Sequence, residues 1–194
     1  NMKLTYQDLL EKMTNMEMLA IPPEKGEMGG NFSSYDRNSS YDPSTDTYSQ
    51  WGANRDCDGY IRMEKDRLVA FEMEGPGVIW RIWSANPQEG HIRIYTENEQ
   101  KEKMDMPFRK LFERYAYDES RVEWPANFPE LMPILSRGRN RFIPIPFNHY
   151  CKVTLDPGWG ELLNFHHVWS FLNTRWIWKL KSKQRLLYWI ESFI

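Results

Sequence analysis

Alternation of apolar and polar positions governs the chain from Tyr60 to about Leu155. In Val69-Ala-Phe-Glu-Met-Glu74, Val69, Phe71 and Met73 fall on one face of an extended strand, with Glu72 and Glu74 on the other. In His91-Ile-Arg-Ile-Tyr95 the isoleucines point inward while His91, Arg93 and Tyr95 point out. In Cys151-Lys-Val-Thr-Leu155 the small and apolar residues again share a face. Glu74-Gly-Pro-Gly-Val-Ile-Trp-Arg-Ile-Trp-Ser-Ala-Asn-Pro87 reads as a tight turn, a strand of β-branched and aromatic residues, and an Asn-Pro break. Short strands with turn signals at this spacing predict an all-β sandwich of jelly-roll type.

The pattern differs at both ends. Thr5-Tyr-Gln-Asp8 has the form of a capping box ahead of Leu9, Leu10, Met13, Met16 and Leu19, and Pro22-Pro23 closes the run. Residues 1–23 are therefore expected to hold a short helix. Residues 24–59 are rich in Gly, Ser, Asn and Asp and too long for a plain hairpin loop, a length that often carries function. No repeat or linker divides 24–160, which reads as one sandwich. Residues 161–194 contain no Gly, Pro or Asp but four of the nine tryptophans and a cluster of Lys and Arg. Three readings stay open for this segment: an out-of-frame or otherwise non-native terminus, a basic amphipathic helix, or a membrane anchor. The last is shorter and more charged than a spanning helix needs.

Composition narrows the partners. The 194 residues suit one domain with a proper core. Nine Trp, ten Tyr and ten Phe in a chain of polar mean hydropathy suit a sandwich that also displays rings, as sugar-binding proteins do. A net charge of −2 gives no electrostatic reason to expect nucleic acid or an anionic membrane. Cys57 and Cys151 are the two cysteines and form neither a metal signature nor a disulfide framework. The opening Met2-Lys-Leu-Thr lacks an apolar signal core, so the expectation is cytoplasmic.

The Gly-Pro-Gly turn with its Trp80-Arg-Ile-Trp83 strand recurs in a recognisable order with other motifs. Phe32-Ser-Ser-Tyr-Asp-Arg37 precedes it; Ile143-Pro-Ile-Pro-Phe147 and Cys151-Lys-Val-Thr-Leu155 follow it. Together these resemble glycoside hydrolase family 172, earlier catalogued as domain of unknown function 2961. The resemblance runs from about Asp8 to about Trp159. It implies one half of a double jelly roll, action on furanosides such as fructofuranose and arabinofuranose linkages, no cofactor, and assembly as trimers or hexamers. After Gly160 the sequence departs from the family's continuation into further strands.

Several residues carry candidate chemistry. Tyr35, Asp36 and Arg37 place a ring, a carboxylate and a guanidinium side by side, the types a sugar needs for stacking and for bidentate bonds to vicinal hydroxyls. An Asp–Arg pair that pins the long loop is the competing reading, and the resemblance favours a site. Asn54-Arg-Asp-Cys-Asp-Gly59 approaches a calcium loop, but Lys65 occupies the position of the bidentate Glu, so no metal is expected. Asp58 is either a turn residue or a wall of the sugar site. Strand parity groups Val78, Trp80 and Ile82 in the core and leaves Arg81 and Trp83 opposite with Ile79, where Trp83 would meet a neighbouring subunit or a sugar.

Glycoside hydrolysis requires two carboxyls at a defined separation. Glu72 and Glu74 share a strand face, but no spacing singles out a pair. By resemblance, the catalytic carboxylates belong to the second half of a longer chain, so no nucleophile or acid/base residue is carried over. The four histidines have no metal spacing, and His149 reads as a surface histidine. Two functions stand: a furanoside-acting glycoside hydrolase truncated before its catalytic carboxylates and inactive alone, or a non-catalytic sandwich that binds carbohydrate or forms oligomers.

Overall fold

The computed structural model describes residues 4–51, 56–97, 100–113, 131–135 and 138–170. Helix α1 spans Tyr6–Thr14. Among the described residues there are thirteen strands: β1 Glu27–Ser33, β2 Ser40–Asp42, β3 Thr47–Ser49, β4 Arg62–Glu64, β5 Arg67–Glu74, β6 Gly77–Pro87, β7 His91–Thr96, β8 Met104–Pro107, β9 Ile134–Leu135, β10 Gly138–Arg141, β11 Ile145–Phe147, β12 Tyr150–Leu155 and β13 Gly160–Ser170. One sheet runs β1-β13-β6-β10-β9 with β11 also on β6, and the other runs β4-β5-β12-β7-β8. The chain is a β-sandwich of antiparallel sheets with one short helix.

Aromatic rings join the layers. Phe71 of β5 meets Phe32 of β1 at 4.9 Å, Phe165 of β13 at 5.6 Å and Phe147 of β11 at 6.4 Å between centroids. Edge-on and tilted contacts of this kind add to the burial of each ring. Ile79, Ile82, Ile92, Ile94, Val153 and Leu155 complete the core around them.

Two β-bulges revise the parity expected from sequence. Val69 pairs with Thr154 and Phe71 with Val153, so Ala70 is an extra residue in β5. An extra residue reverses which face later positions occupy. Phe71 joins the core, whereas Val69 sits with Thr154 on the opposite face and is buried there. The expected grouping of Val69 with Phe71 and Met73 is corrected accordingly. In β6, His167 pairs with Ile79 and His166 with Arg81, leaving Trp80 as the bulged residue. Ile79 and Ile82 therefore both enter the core, while Trp80 is only half-buried against it. Val78 and Ile82 are core residues as expected, whereas Trp80 reaches the core only half-buried and Ile79 joins it. Arg81 and Trp83 do lie opposite Ile82, but without Ile79.

The outward face of the β5/β12/β7 sheet is polar yet covered. Tyr95 points away from Ile94 as expected, but only 5% of it is exposed. Arg67 donates to its hydroxyl at 3.2 Å, and the Lys152 ammonium sits 5.6 Å from its ring centroid. Lys152 in turn pairs with Glu64 at 3.0 Å. Long side chains lying flat over one another bury their stems while keeping their charges paired.

At the N-terminus, Thr5 and Asp8 form the expected capping box, with Asp8 N–H donating to Thr5 Oγ1 at 3.2 Å. Tyr6 and Leu9 pack into the core. The helix stops sooner than the apolar run. Asn15 accepts from Glu17 N–H, starting a short 3-10 turn over Met16–Ala20, and Met16 is 76% exposed. A side chain that bonds the local backbone competes with helical continuation. At the other end, β13 carries the sandwich to Ser170, into the segment set apart from 161 onward in sequence. Residues 171–194, with most of the proposed basic tail, lie outside the described residues.

Candidate functional site

The site grows from the end of β1. Ser33 is the last residue of that strand, and Ser34 beyond it is buried. Ser34 is stitched to β13: its N–H donates to Leu163 O at 2.9 Å, and Leu163 N–H donates to Ser34 Oγ at 2.9 Å. Its carbonyl accepts from Cys57 N–H at 2.9 Å and Gly59 N–H at 3.1 Å. The loop after β1 and the turn before β4 thus become one corner.

Gly59 permits this contact. A β-carbon built there would lie 1.9 Å from Tyr35 O and 2.7 Å from its carbonyl carbon, which no side chain can do. Asp56 Oδ1 accepts from Asp36 N–H at 2.7 Å and so ties the loop and the turn together a second time. Asp58, adjacent to Gly59, is exposed at the rim.

Within the corner the three neighbouring candidates have distinct placements. Tyr35 is 51% exposed, and the Arg37 guanidinium stacks on its ring at 4.3 Å from the centroid. Arg37 also donates to Ser33 O at 2.9 Å and Tyr35 O at 3.3 Å. These bonds fix the fork in one orientation and leave it little rotamer freedom. Asp36 is buried, and its Oδ1 accepts from Asn38 N–H at 3.0 Å in a side-chain turn. The structure therefore brings Tyr35, Asp36, Arg37 and Asp58 together.

Trp83 stands in the same row but further along. Ser33 pairs with Asn164, Asn164 with Trp83, and Trp83 with Asn140. Phe32, Phe165 and Ile82 face the core, so Ser33 and Trp83 share the sheet's outer surface. Two strand spacings separate them, roughly 10 Å. Arg81, on the same side, donates to Asn140 Oδ1 at 2.9 Å, and its guanidinium lies 5.8 Å from the Phe142 ring centroid. The outer surface beside the corner thus carries an indole and a guanidinium tethered by the buried Asn140 amide.

Gly138 and Asn140 escaped the sequence reading, and Asp56 entered it only as part of the calcium-like loop, not as a partner of Asp36. Nothing local marks them: each matters only through a strand distant in sequence. The acidic loop 54–59 suggested at most an alternate-oxygen pattern, and residues 52–55 lie outside the described residues. Among the described residues, no group of three or more His, Cys, Asp or Glu is placed to hold a metal ion.

Glu72, the strand carboxylate considered for acid/base work, is engaged elsewhere. It pairs with Arg62 and accepts from Tyr150 Oη at 2.7 Å. The hydrogen bond from Arg62, against the effect of burial, holds its carboxyl below the ordinary range. Burial pushes Glu64 upward, but hydrogen bonds from Lys152 and Arg62 outweigh it and leave that carboxyl lowered too. Both groups are held as ionised acceptors, the opposite of what proton donation to a leaving group requires.

Comparison with known proteins bears on this arrangement. The model of the GH172 first beta-sandwich domain matches residues 25–171, which include the corner, the Trp83 face and β13. No curated protein matches the chain.

Proposed function

Because this chain belongs to glycoside hydrolase family 172, through the family's first β-sandwich domain, we propose that it is the sugar-holding half of a furanoside-acting hydrolase. The corner of Tyr35, Asp36, Arg37 and Asp58 forms one wall of the furanoside site. Trp83 extends that wall along the sheet. The carboxyl pair that breaks the glycosidic bond comes from outside this sandwich, and the domain alone binds without turnover.

The observation that carries the reading is the exposed Tyr35 ring with Arg37 locked against it. A furanose offers a face of C–H groups to a ring and hydroxyls to a planar donor, and this pair supplies both from a preset geometry. Titration calorimetry with arabinotriose and with a fructofuranose trisaccharide tests it. One of the two should bind, and Tyr35→Ala should weaken that binding about tenfold. Equal binding by the variant would remove the corner from the site. Turnover of an aryl arabinofuranoside by this chain would overturn the division of labour.

A second reading, self-association into a symmetric oligomer, draws on β9. Ile134 and Leu135 are 54% and 59% exposed on an edge strand of the six-stranded sheet. Exposed apolar edges invite pairing with another chain. Light scattering that reports a monomer would exclude it.

A further inference from the structure

The β2–β3 ribbon belongs to neither sheet, and every residue from 40 to 51 is exposed. Its aromatic residues do not turn toward the sandwich. Tyr41 and Tyr48 pair in register with ring centroids 5.1 Å apart, and Trp51 continues the row 5.0 Å from Tyr48. They are 50%, 52% and 75% exposed. Three large rings displayed side by side on an outlying ribbon mark a contact surface, since burial would otherwise draw them inward.

Polar bonds hold the ribbon in shape without a core. Tyr41 Oη donates to Asp46 Oδ1 at 2.8 Å. Ser40 and Ser49 hydroxyls meet across the strands at 2.7 Å, and those of Thr45 and Thr47 meet within the turn at 2.7 Å. Asp42 Oδ1 accepts from Ser44 N–H at 2.9 Å. A two-stranded ribbon is marginal by itself, and these bonds supply what packing does not.

We propose that Tyr41, Tyr48 and Trp51 form a second saccharide platform, separate from the Tyr35–Arg37 corner, that stacks successive residues of a neutral oligosaccharide. The proposal rests on the carbohydrate reading above. Charge selects the ligand: residues 40–51 include two Asp but no Lys, Arg or His. Single-stranded nucleic acid also stacks on rings, yet it needs a basic groove for its backbone, and none is present on the ribbon. A row of rings with carboxylate and hydroxyl neighbours suits C–H stacking with hydroxyl bonds at the margin.

Native gels cast with linear arabinan, levan or dextran test the full chain, comparing wild type with Trp51→Ala, the Tyr48→Ala/Trp51→Ala double variant and Tyr35→Ala. At least one polysaccharide should retard wild type, Trp51→Ala should weaken retardation about tenfold, and the double variant should weaken it further. Far-UV circular dichroism should match wild type for all, because the mutated ribbon rings are exposed. Absence of retardation in all three gels overturns the platform, as does a double variant retarded like wild type. A double variant that binds polysaccharide normally but loses self-association in light scattering also overturns it, in favour of a protein contact. The corner is read separately: arabinotriose binding that depends on Tyr35 survives failure of the platform, and loss of that dependence leaves the platform standing.

Discussion

The indole of Trp83 lies directly over Gly138: a β-carbon built on Gly138 would fall 2.0 Å from Trp83 Nε1 and 2.8 Å from its Cε2. The two residues belong to neighbouring strands, since Asn140 of β10 pairs with Trp83 of β6. The missing side chain of Gly138 leaves the space that this edge of the indole occupies. Gly138→Ala should push the indole away and cost about 1–3 kcal/mol, the usual range for overpacking. Thermal unfolding should fall by several degrees. If Trp83 contributes to sugar binding, the same variant should also weaken it. An unchanged melting temperature would show that the ring moves freely.

Gly59→Ala attacks the corner rather than the sheet. The added methyl meets backbone, Tyr35 O at 1.9 Å, and backbone cannot swing aside as a side-chain tip does. The loss should be about 2–4 kcal/mol by the mechanisms that give large single-site effects. Binding of a furanoside trisaccharide should fall with it, because Tyr35 and Arg37 hang from the displaced loop. Calorimetry of unfolding and of binding on the one variant checks both.

Glu72 makes stability depend on acid. Its carboxyl is lowered in the folded chain, first by Arg62, so the folded state binds its proton less readily than the unfolded state does. That contribution is complete above the ordinary glutamate value of about 4.3. It is lost as pH falls through the lower folded value. The melting temperature of wild type should therefore drop more steeply below about pH 5 than that of Glu72→Gln. Parallel curves would mean that the Arg62 pair is screened to no effect, as exposed pairs often are.

Thr5→Ala removes the side-chain half of the capping box at α1. Loss of such a cap costs about 1 kcal/mol. For a chain of this size that corresponds to roughly 2–4 °C in melting temperature. Thr5→Ser should restore most of it, since serine caps equally well.

Much of the fold was legible because strand alternation is a local property. His91–Tyr95 and Cys151–Leu155 reveal their inward faces from their own residues, and Thr5 with Asp8 announces a helix start within one turn. The grouping of Tyr35, Asp36 and Arg37 was visible as adjacency. Asp58 was visible as a turn residue, but the placing of its turn against the Tyr35 backbone depends on the Ser34 carbonyl accepting from Cys57 and Gly59.

What the sequence determined by itself was the type of element and its apolar stock, because side-chain periodicity is set within a few residues. Tertiary structure alone decided the phase. The extra residues Ala70 and Trp80 are defined only against β12 and β13, and each inverts the parity read from its own strand. The same holds for Ser33 and Trp83, brought into one row by β13, and for Gly138, whose importance is the indole above it. Register between strands far apart in the chain comes from the fit of whole faces against one another, and no single segment contains that information.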